Sequence, residues 1–187
     1  MSRVRIVFSG TGGQGVITAS IILAEAAVLH DGLNAVQGQS YGPEARGGQS
    51  RSDVIISDTE IRFPKVPQPN ILVCLSQEAY NAYSPTIRPG GLLITDSHYV
   101  TPAKKVDARQ AHLPLYDSVM ERIGKPIVLN ICTLGAFAGL VPVVRVESLK
   151  TVIRKRVPKD FLDLNYRAFD LGMELAGSYG PLYEVPW

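Results

Sequence analysis

Residues 3–8 read Arg-Val-Arg-Ile-Val-Phe, a short β-branched run that predicts a first strand. Small residues at 9–13 make a turn, and an apolar stretch follows over 16–29. Within it Ile17, Ile21, Ala24 and Val28 recur at helical spacing, so it reads as a helix that Gly32 ends. A second strand is expected at 33–37. Residues 38–50 carry four glycines and a proline in thirteen positions, a composition that predicts a long irregular loop. Strands are then expected at 52–57, 71–75 and 92–95, with 61–63 pairing onto 52–57 as a hairpin. A short helix is expected at 77–83 and a turn at Pro89-Gly90-Gly91. Beyond about residue 115 strand signals fade, and helices are predicted near 115–123, 130–140, 147–155 and 159–177. Residues 179–187 read as an extended C-terminal arm.

Strands that alternate with helices over the first hundred residues imply an α/β fold. The expectation is a Rossmann-like, largely parallel sheet with helices on both faces and a helix-rich C-terminal part, in a single domain over 1–187. In such a sheet the loops after the strand C-termini gather at one edge, where ligands bind. The turn at 10–15 and the loop at 38–50 both belong there.

Composition narrows the function classes. Net charge is +2 and charged residues make up 19% of the chain, so no basic field marks a nucleic-acid partner. No apolar run has transmembrane length and the N-terminus has no signal-peptide pattern, which points to the cytoplasm and away from a membrane. Cys74 and Cys132 are far apart and read as small buried hydrophobes; a cubane cluster normally needs four thiolates. His30, His98 and His112 have no metal-ligand spacing, so no metal site is expected.

Gly10-Thr11-Gly12-Gly13-Gln14-Gly15 satisfies G-x-G-x-x-G between a strand and a helix. Such a loop lets backbone N–H groups and a helix N-terminus face an anion, which makes Gly10, Gly12, Gly13, Gln14 and Gly15 candidate cofactor contacts. A dinucleotide site also wants an acidic residue at the end of the second strand, and the sequence there is Asn34-Ala35-Val36-Gln37-Gly38-Gln39. The loop therefore reads as a tight packing turn or an anion edge completed by a partner. A stand-alone nucleotide-binding protein or oxidoreductase stays as the alternative. The second loop offers Tyr41, Gly42, Pro43, Glu44, Arg46, Gly47 and Gly48 as an interface or active-site edge. Its proline stiffens it, and Glu44 and Arg46 bring opposite charges close together. Ser76, Asp96 and Asn130 read as caps or turn formers, and Tyr80 and Tyr83 as packing. The six Lys or Arg against two acids over 145–160 read as a solvated helix face or a contact with an acidic partner. No residue stands out as acid, base or nucleophile.

The two loops, with Ser52-Asp53-Val54-Ile55-Ile56-Ser57, Asn130 and Leu134-Gly135-Ala136, resemble the gamma subunit of 2-oxoacid:ferredoxin oxidoreductases over roughly residues 3–175. The version Ser-Tyr-Gly-Pro-Glu-Ala-Arg-Gly-Gly is most similar to the 2-oxoglutarate branch, with the pyruvate, 2-oxoisovalerate and indolepyruvate branches close. The resemblance implies a subunit, inactive alone, of an enzyme that oxidatively decarboxylates a 2-oxoacid to acyl-coenzyme A and reduces ferredoxin. It implies alpha- and beta-type partner subunits, and a delta-type one where present, with ferredoxin an indirect partner. Thiamine diphosphate, magnesium, iron–sulfur clusters and coenzyme A would then act in or near those subunits, and this chain alone would bind no cofactor. The sequence leaves open whether the isolated chain dimerises.

Overall fold

A computed structural model describes residues 3–41, 49–102 and 105–187. The elements run β1 (Arg3–Thr11), α1 (Val16–His30), β2 (Asn34–Tyr41), β3 (Gln49–Ser57), β4 (Ile71–Cys74) and α2 (Gln77–Tyr83). They continue with β5 (Gly91–Asp96), β6 (Ala108–Leu113), α3 (Leu115–Arg122), α4 (Leu129–Leu140), α5 (Val146–Arg156) and α6 (Leu162–Gly177). One sheet has the order β2-β3-β1-β4-β5-β6. β1 pairs parallel with β4, β4 with β5 and β5 with β6, while β3 pairs antiparallel with both β1 and β2. Five strands thus point one way and β3 alone runs against them.

Three expectations need correction. Residues 38–41 and 49–50, read as loop, extend β2 and β3, because the ladder continues to Tyr41↔Ser50 and Thr11↔Gln49. Cross-strand hydrogen bonds on both sides of β3 outweigh the low β propensity of Gly38. Residues 61–63 form no strand. Both edges of β3 are already taken, by β1 and β2, so no place remains for that hairpin. Finally β6 is an unexpected strand: Ala-Arg-Gln-Ala-His-Leu buries only Ala111 and Leu113, too weak an apolar pattern to stand out.

Alternation along the strands splits the core in two. Val4, Ile6 and Phe8 of β1 face the same side as Val54, Ile56, Ile71, Val73, Leu92 and Ile94, under α1, α3, α4, α5 and α6. Val7, Ile55, Leu72, Cys74 and Leu93 face the other side, covered by α2 and by chain segments around Val66 and Val100. Helices therefore cover both faces, but unevenly. α1 buries Val16, Ala19, Ile22, Leu23, Ala26 and Ala27, not the expected stripe; Val28 of that stripe is exposed. The helix is apolar on nearly every side, so periodicity alone could not pick the inner face. Gly32, at φ 68°, ends α1 as expected, with the Leu33 N–H returning to the Ala27 carbonyl.

α4 is apolar all round and almost wholly buried. It needs a second helix layer, and α6 supplies it at close range. A Cβ added to Gly172 would lie 1.9 Å from the Cys132 carbonyl oxygen, and one on Gly135 would lie 2.0 Å from that of Phe169. Half of the basic run at 145–160 pairs within the chain, Arg145 with Asp31, Lys150 with Asp170 and Arg156 with Glu25, while Arg154, Lys155 and Lys159 stand exposed as on a solvated face.

Asp31 links α1 to the N-terminus of α5. Its carboxylate accepts from the Arg145 backbone N–H at 2.7 Å, the Arg145 guanidinium at 2.9 Å and the Ser148 hydroxyl. Burial works to raise its pKa, but these donors and the Arg145 charge outweigh burial and hold it below the ordinary carboxylate value.

Two outcomes are expected. Gly172→Ala forces α4 and α6 apart and costs about 3 kcal/mol in urea denaturation; an unchanged midpoint refutes the close approach. Because the Asp31 pKa is depressed in the fold, its contribution is present above about pH 4 and lost as pH falls below that. Asp31→Asn should therefore cost about 1–2 kcal/mol at neutral pH, a deficit that shrinks below about pH 4. A deficit that is the same at pH 3 and pH 7 contradicts it.

Candidate functional site at the sheet edge

The C-terminal ends of β1, β4, β5 and β6 share one edge of the sheet, as their parallel pairing requires. The glycine turn leaves β1 there, and its geometry is set by Gln14. The Thr11 N–H donates to Gln14 Oε1 at 2.8 Å, and Gln14 Nε2 donates to the Leu75 carbonyl at 2.7 Å. The side chain thus bridges the turn to the end of β4. A Cβ on Gly10 would come within 2.4 Å of Gln14 Oε1, so that position must be glycine for the bridge to close. Gly15 caps α1 at φ 71°, and a Cβ there would meet the Asn130 side chain at 2.7 Å. Gly12 and Gly13 stand exposed at the tip. The five candidate residues of this turn are therefore together, but Gln14 fills the turn from within.

The middle of β2, where the sequence predicts the strand's end, answers the dinucleotide question in the same way. Gln37 turns its amide inward and donates to Ser52 Oγ at 2.7 Å, and Ser52 and Ser20 Oγ lie 2.6 Å apart. This buried chain of polar groups ties α1 to the sheet. Neither an acid nor a free amide is left at that position for a ribose.

Of the second cluster, Tyr41 ends β2, while Gly42, Pro43, Glu44, Arg46, Gly47 and Gly48 lie outside the described residues. Their flanks are fixed. Tyr41 pairs with Ser50, and Gln49 pairs with Thr11, so both strand ends stand beside the glycine turn. Behind them Arg51 forms a two-pronged pair with Asp53 at 2.7 and 3.2 Å and donates to the Val66 carbonyl at 2.7 Å. Its guanidinium lies 5.0 Å over the Tyr83 ring. Tyr83 thus does more than pack, whereas Tyr80 is fully buried.

Ser76 caps α2, accepting from the Ala79 N–H at 3.2 Å. Asp96 is completely buried and accepts from the His98 N–H at 3.0 Å and the Tyr116 N–H at 3.1 Å. Burial pushes its pKa up against those two bonds. Both residues are caps or turn formers, as expected. Asn130 is not at the N-cap position, which is Val128; from inside the first turn of α4 its Oδ1 accepts from the Ile131 N–H at 2.9 Å, and its side chain also lies against Gly15. Sequence reasoning missed the ring cluster that surrounds Asp96. His98 Nδ1 lies 2.7 Å from Asp117, and its ring packs 4.4 Å from Tyr116 and 4.7 Å from Tyr99. The unrecognised β6 hid it, since that strand brings α3 back to the edge.

The model for the family described as pyruvate ferredoxin/flavodoxin oxidoreductase matches residues 5–175. The chain belongs to that family. A 2-oxoglutarate synthase subunit, KorC, of Methanocaldococcus jannaschii is 48% identical over 176 residues, covering 93% of this chain and 94% of that one. The crystal structure of a keto/oxoacid ferredoxin oxidoreductase gamma subunit from Geobacter sulfurreducens superposes with a TM-score of 0.84 at 42% identity. It covers 94% of this chain and 99% of that one. A ketoisovalerate oxidoreductase subunit, VorA, of Methanothermobacter marburgensis is 31% identical over 93% of this chain, which spans 37% of that longer protein. The resemblance carried by the two loops is therefore a family relationship, and the mixed α/β sheet is the fold of this oxidoreductase family. No helix among the described residues is long and apolar enough to cross a membrane.

In this family member the Gln14 bridge is a structural element that can be tested by itself. Gln14→Ala leaves the Leu75 carbonyl and the Thr11 N–H without their partner and should cost about 1–2 kcal/mol in urea denaturation. Gln14→Glu sets a carboxylate against the Leu75 carbonyl and should cost more than Gln14→Ala. The reverse order contradicts the bridge.

Proposed function

We propose that the chain is the gamma subunit of a cytoplasmic 2-oxoglutarate:ferredoxin oxidoreductase and is inactive alone. The reaction joins decarboxylation of the 2-oxoacid to transfer of its acyl group to coenzyme A, with two electrons passing to ferredoxin. Thiamine diphosphate with magnesium and the iron–sulfur clusters would be held by alpha-, beta- and, where present, delta-type subunits. The observation that carries the substrate choice is the 48% identity to a 2-oxoglutarate synthase subunit, against 31% to a ketoisovalerate oxidoreductase subunit.

The accessory role is supported by the thiols. Cys74 faces the core under α2 and Cys132 the core under α1 and α6, so the sheet separates them. Burial pushes both up to about 12, so neither offers a thiolate to a cluster. What this chain contributes is an edge. The turn at Gly10, Gly12, Gly13, Gln14 and Gly15 is braced by Gln14, and Tyr41 and Gln49, the sequence flanks of residues 42–48, stand beside it. On this reading Tyr41, Gly42, Pro43, Glu44, Arg46, Gly47 and Gly48 border the active site or the partner that holds it. The self-filled glycine turn speaks against the stand-alone nucleotide-binding alternative.

Affinity purification from the producing cell should bring down thiamine- and cluster-bearing chains; their absence sinks the proposal. In the assembled enzyme Arg46→Ala should lower kcat at least about ten-fold with subunit composition unchanged, a loss of ~1.4 kcal/mol in transition-state stabilisation. Full activity in that variant would remove the loop from the active-site edge.

A further inference from the structure

The two edges of the sheet differ. Along β6 the C-terminal segment lies across the strand: Arg109 donates to the Leu182 carbonyl at 2.8 Å, and the Tyr179 hydroxyl donates to the His112 carbonyl at 3.3 Å. Along the outer edge of β2 no strand pairs among the described residues. β2 has eight residues, no charge and no proline, and its register with β3 is unbroken. Exposed edges are usually blunted by charged residues, proline or a bulge, because their free N–H and C=O groups recruit other strands. None of those devices is present here.

Beside this edge, on the face away from α1, lies a hollow of about 480 Å³. Gly38 forms its floor next to the Arg51–Asp53 pair, and Phe63, Pro64 and Val66 form an apolar wall. A Cβ at Gly38 would meet nothing within 4 Å, so the space above the strand is open. Phe63, at the rim, is 60% exposed.

We infer that β2 and this hollow dock an extended segment of another subunit of the same enzyme, which adds as a strand along β2 and seats a large apolar side chain between Gly38 and Phe63. This rests on the proposed function, which makes the chain one member of a complex. The backbone edge selects an extended partner, since only a strand satisfies a row of alternating donors and acceptors. The hollow selects a different chain over a second copy. A copy paired strand to strand on β2 brings Asn34, Val36 and Gly38 to that face, and none is long enough to fill the space. The ion pair at the floor is already neutral; Lys65 adds one positive charge to the lining, and the apolar wall of Phe63, Pro64 and Val66 is what seats the incoming side chain.

Tagged wild type, Gly38→Arg and Phe63→Ser are purified from the producing cell, with co-purifying enzyme subunits identified by mass spectrometry. Amide exchange over residues 34–39 is compared between the complex and the free chain. Both variants should fold with the wild-type melting point yet recover at least about ten-fold less partner subunit. In the wild-type complex, amides across 34–39 should exchange at least about ten-fold more slowly than in the free chain. Variants that assemble normally, or amides left unprotected, overturn the docking site and leave the proposed function intact. Wild type recovered without any enzyme subunit sinks both. A free chain that dimerises, and that Gly38→Arg splits, assigns the surface to self-association and overturns the inference. Should Gly38→Arg fail to fold, Phe63→Ser and the exchange data decide.

Discussion

Thr11 lies opposite Gln49, and Ser50 opposite Tyr41, because β3 runs backwards between two strands that point the other way. A parallel β1–β2 pair joined by α1 alone would leave the chain after β2 free to wander along the sheet edge. The nine-residue ladder between β1 and β3 forbids that. It brings Tyr41 and Gln49 to the place where the glycine turn leaves β1. A one-residue slip would turn Val54 and Ile56 out of the main core and Asp53 and Ile55 into it. Burial of those side chains thus holds the register, and the register holds Tyr41 and Gln49 beside the glycine turn.

The weight of the fold sits on one side of the sheet. α4 has no polar face to offer solvent, so it is stable only as a middle layer. Gly135 and Gly172 let α6 come close enough to complete that layer. α5 buries Leu149, Val152 and Ile153 in the same core, and ion pairs to Asp31, Glu25 and Asp170 add to its hold. Among the described residues the other face has only α2 and irregular chain, which leaves Gly38 uncovered. The bare hollow follows from the same asymmetry that made the helical side thick.

Much of this was legible in the residues. The strand–turn–helix around Gly10 to Gly15, the stop at Gly32 and the later helices follow from local patterns that tertiary structure reinforces. β6 was not legible, because an edge strand with two inward apolar residues carries little periodic signal. The extension of β2 and β3 into the glycine-rich region was hidden for a different reason. Composition there favours a turn, and only pairing on both sides of β3 overrides it. Likewise Asn130 looked like a cap because it opens an apolar helix. Its contact with Gly15 spans more than a hundred residues of sequence, and no local pattern encodes it. At the site, the absence of an acid near Gln37 could be read directly, whereas its inward bond to Ser52 needed the fold.

The glycine turn therefore has a narrower meaning than its motif suggests. In a dinucleotide loop the glycines empty the space in front of the helix so that a pyrophosphate can enter. Here the same absence of side chains admits Gln14 on one side and Asn130 on the other. At Gly10 and Gly15 the glycines let protein groups approach, while Gly13 stands open. An amide that accepts from Thr11 and donates to Leu75 satisfies backbone groups at two strand ends without adding charge. Such a turn is stiff and neutral. It joins the end of β1 to the residue that follows β4, so the two strand ends are held together at the sheet edge.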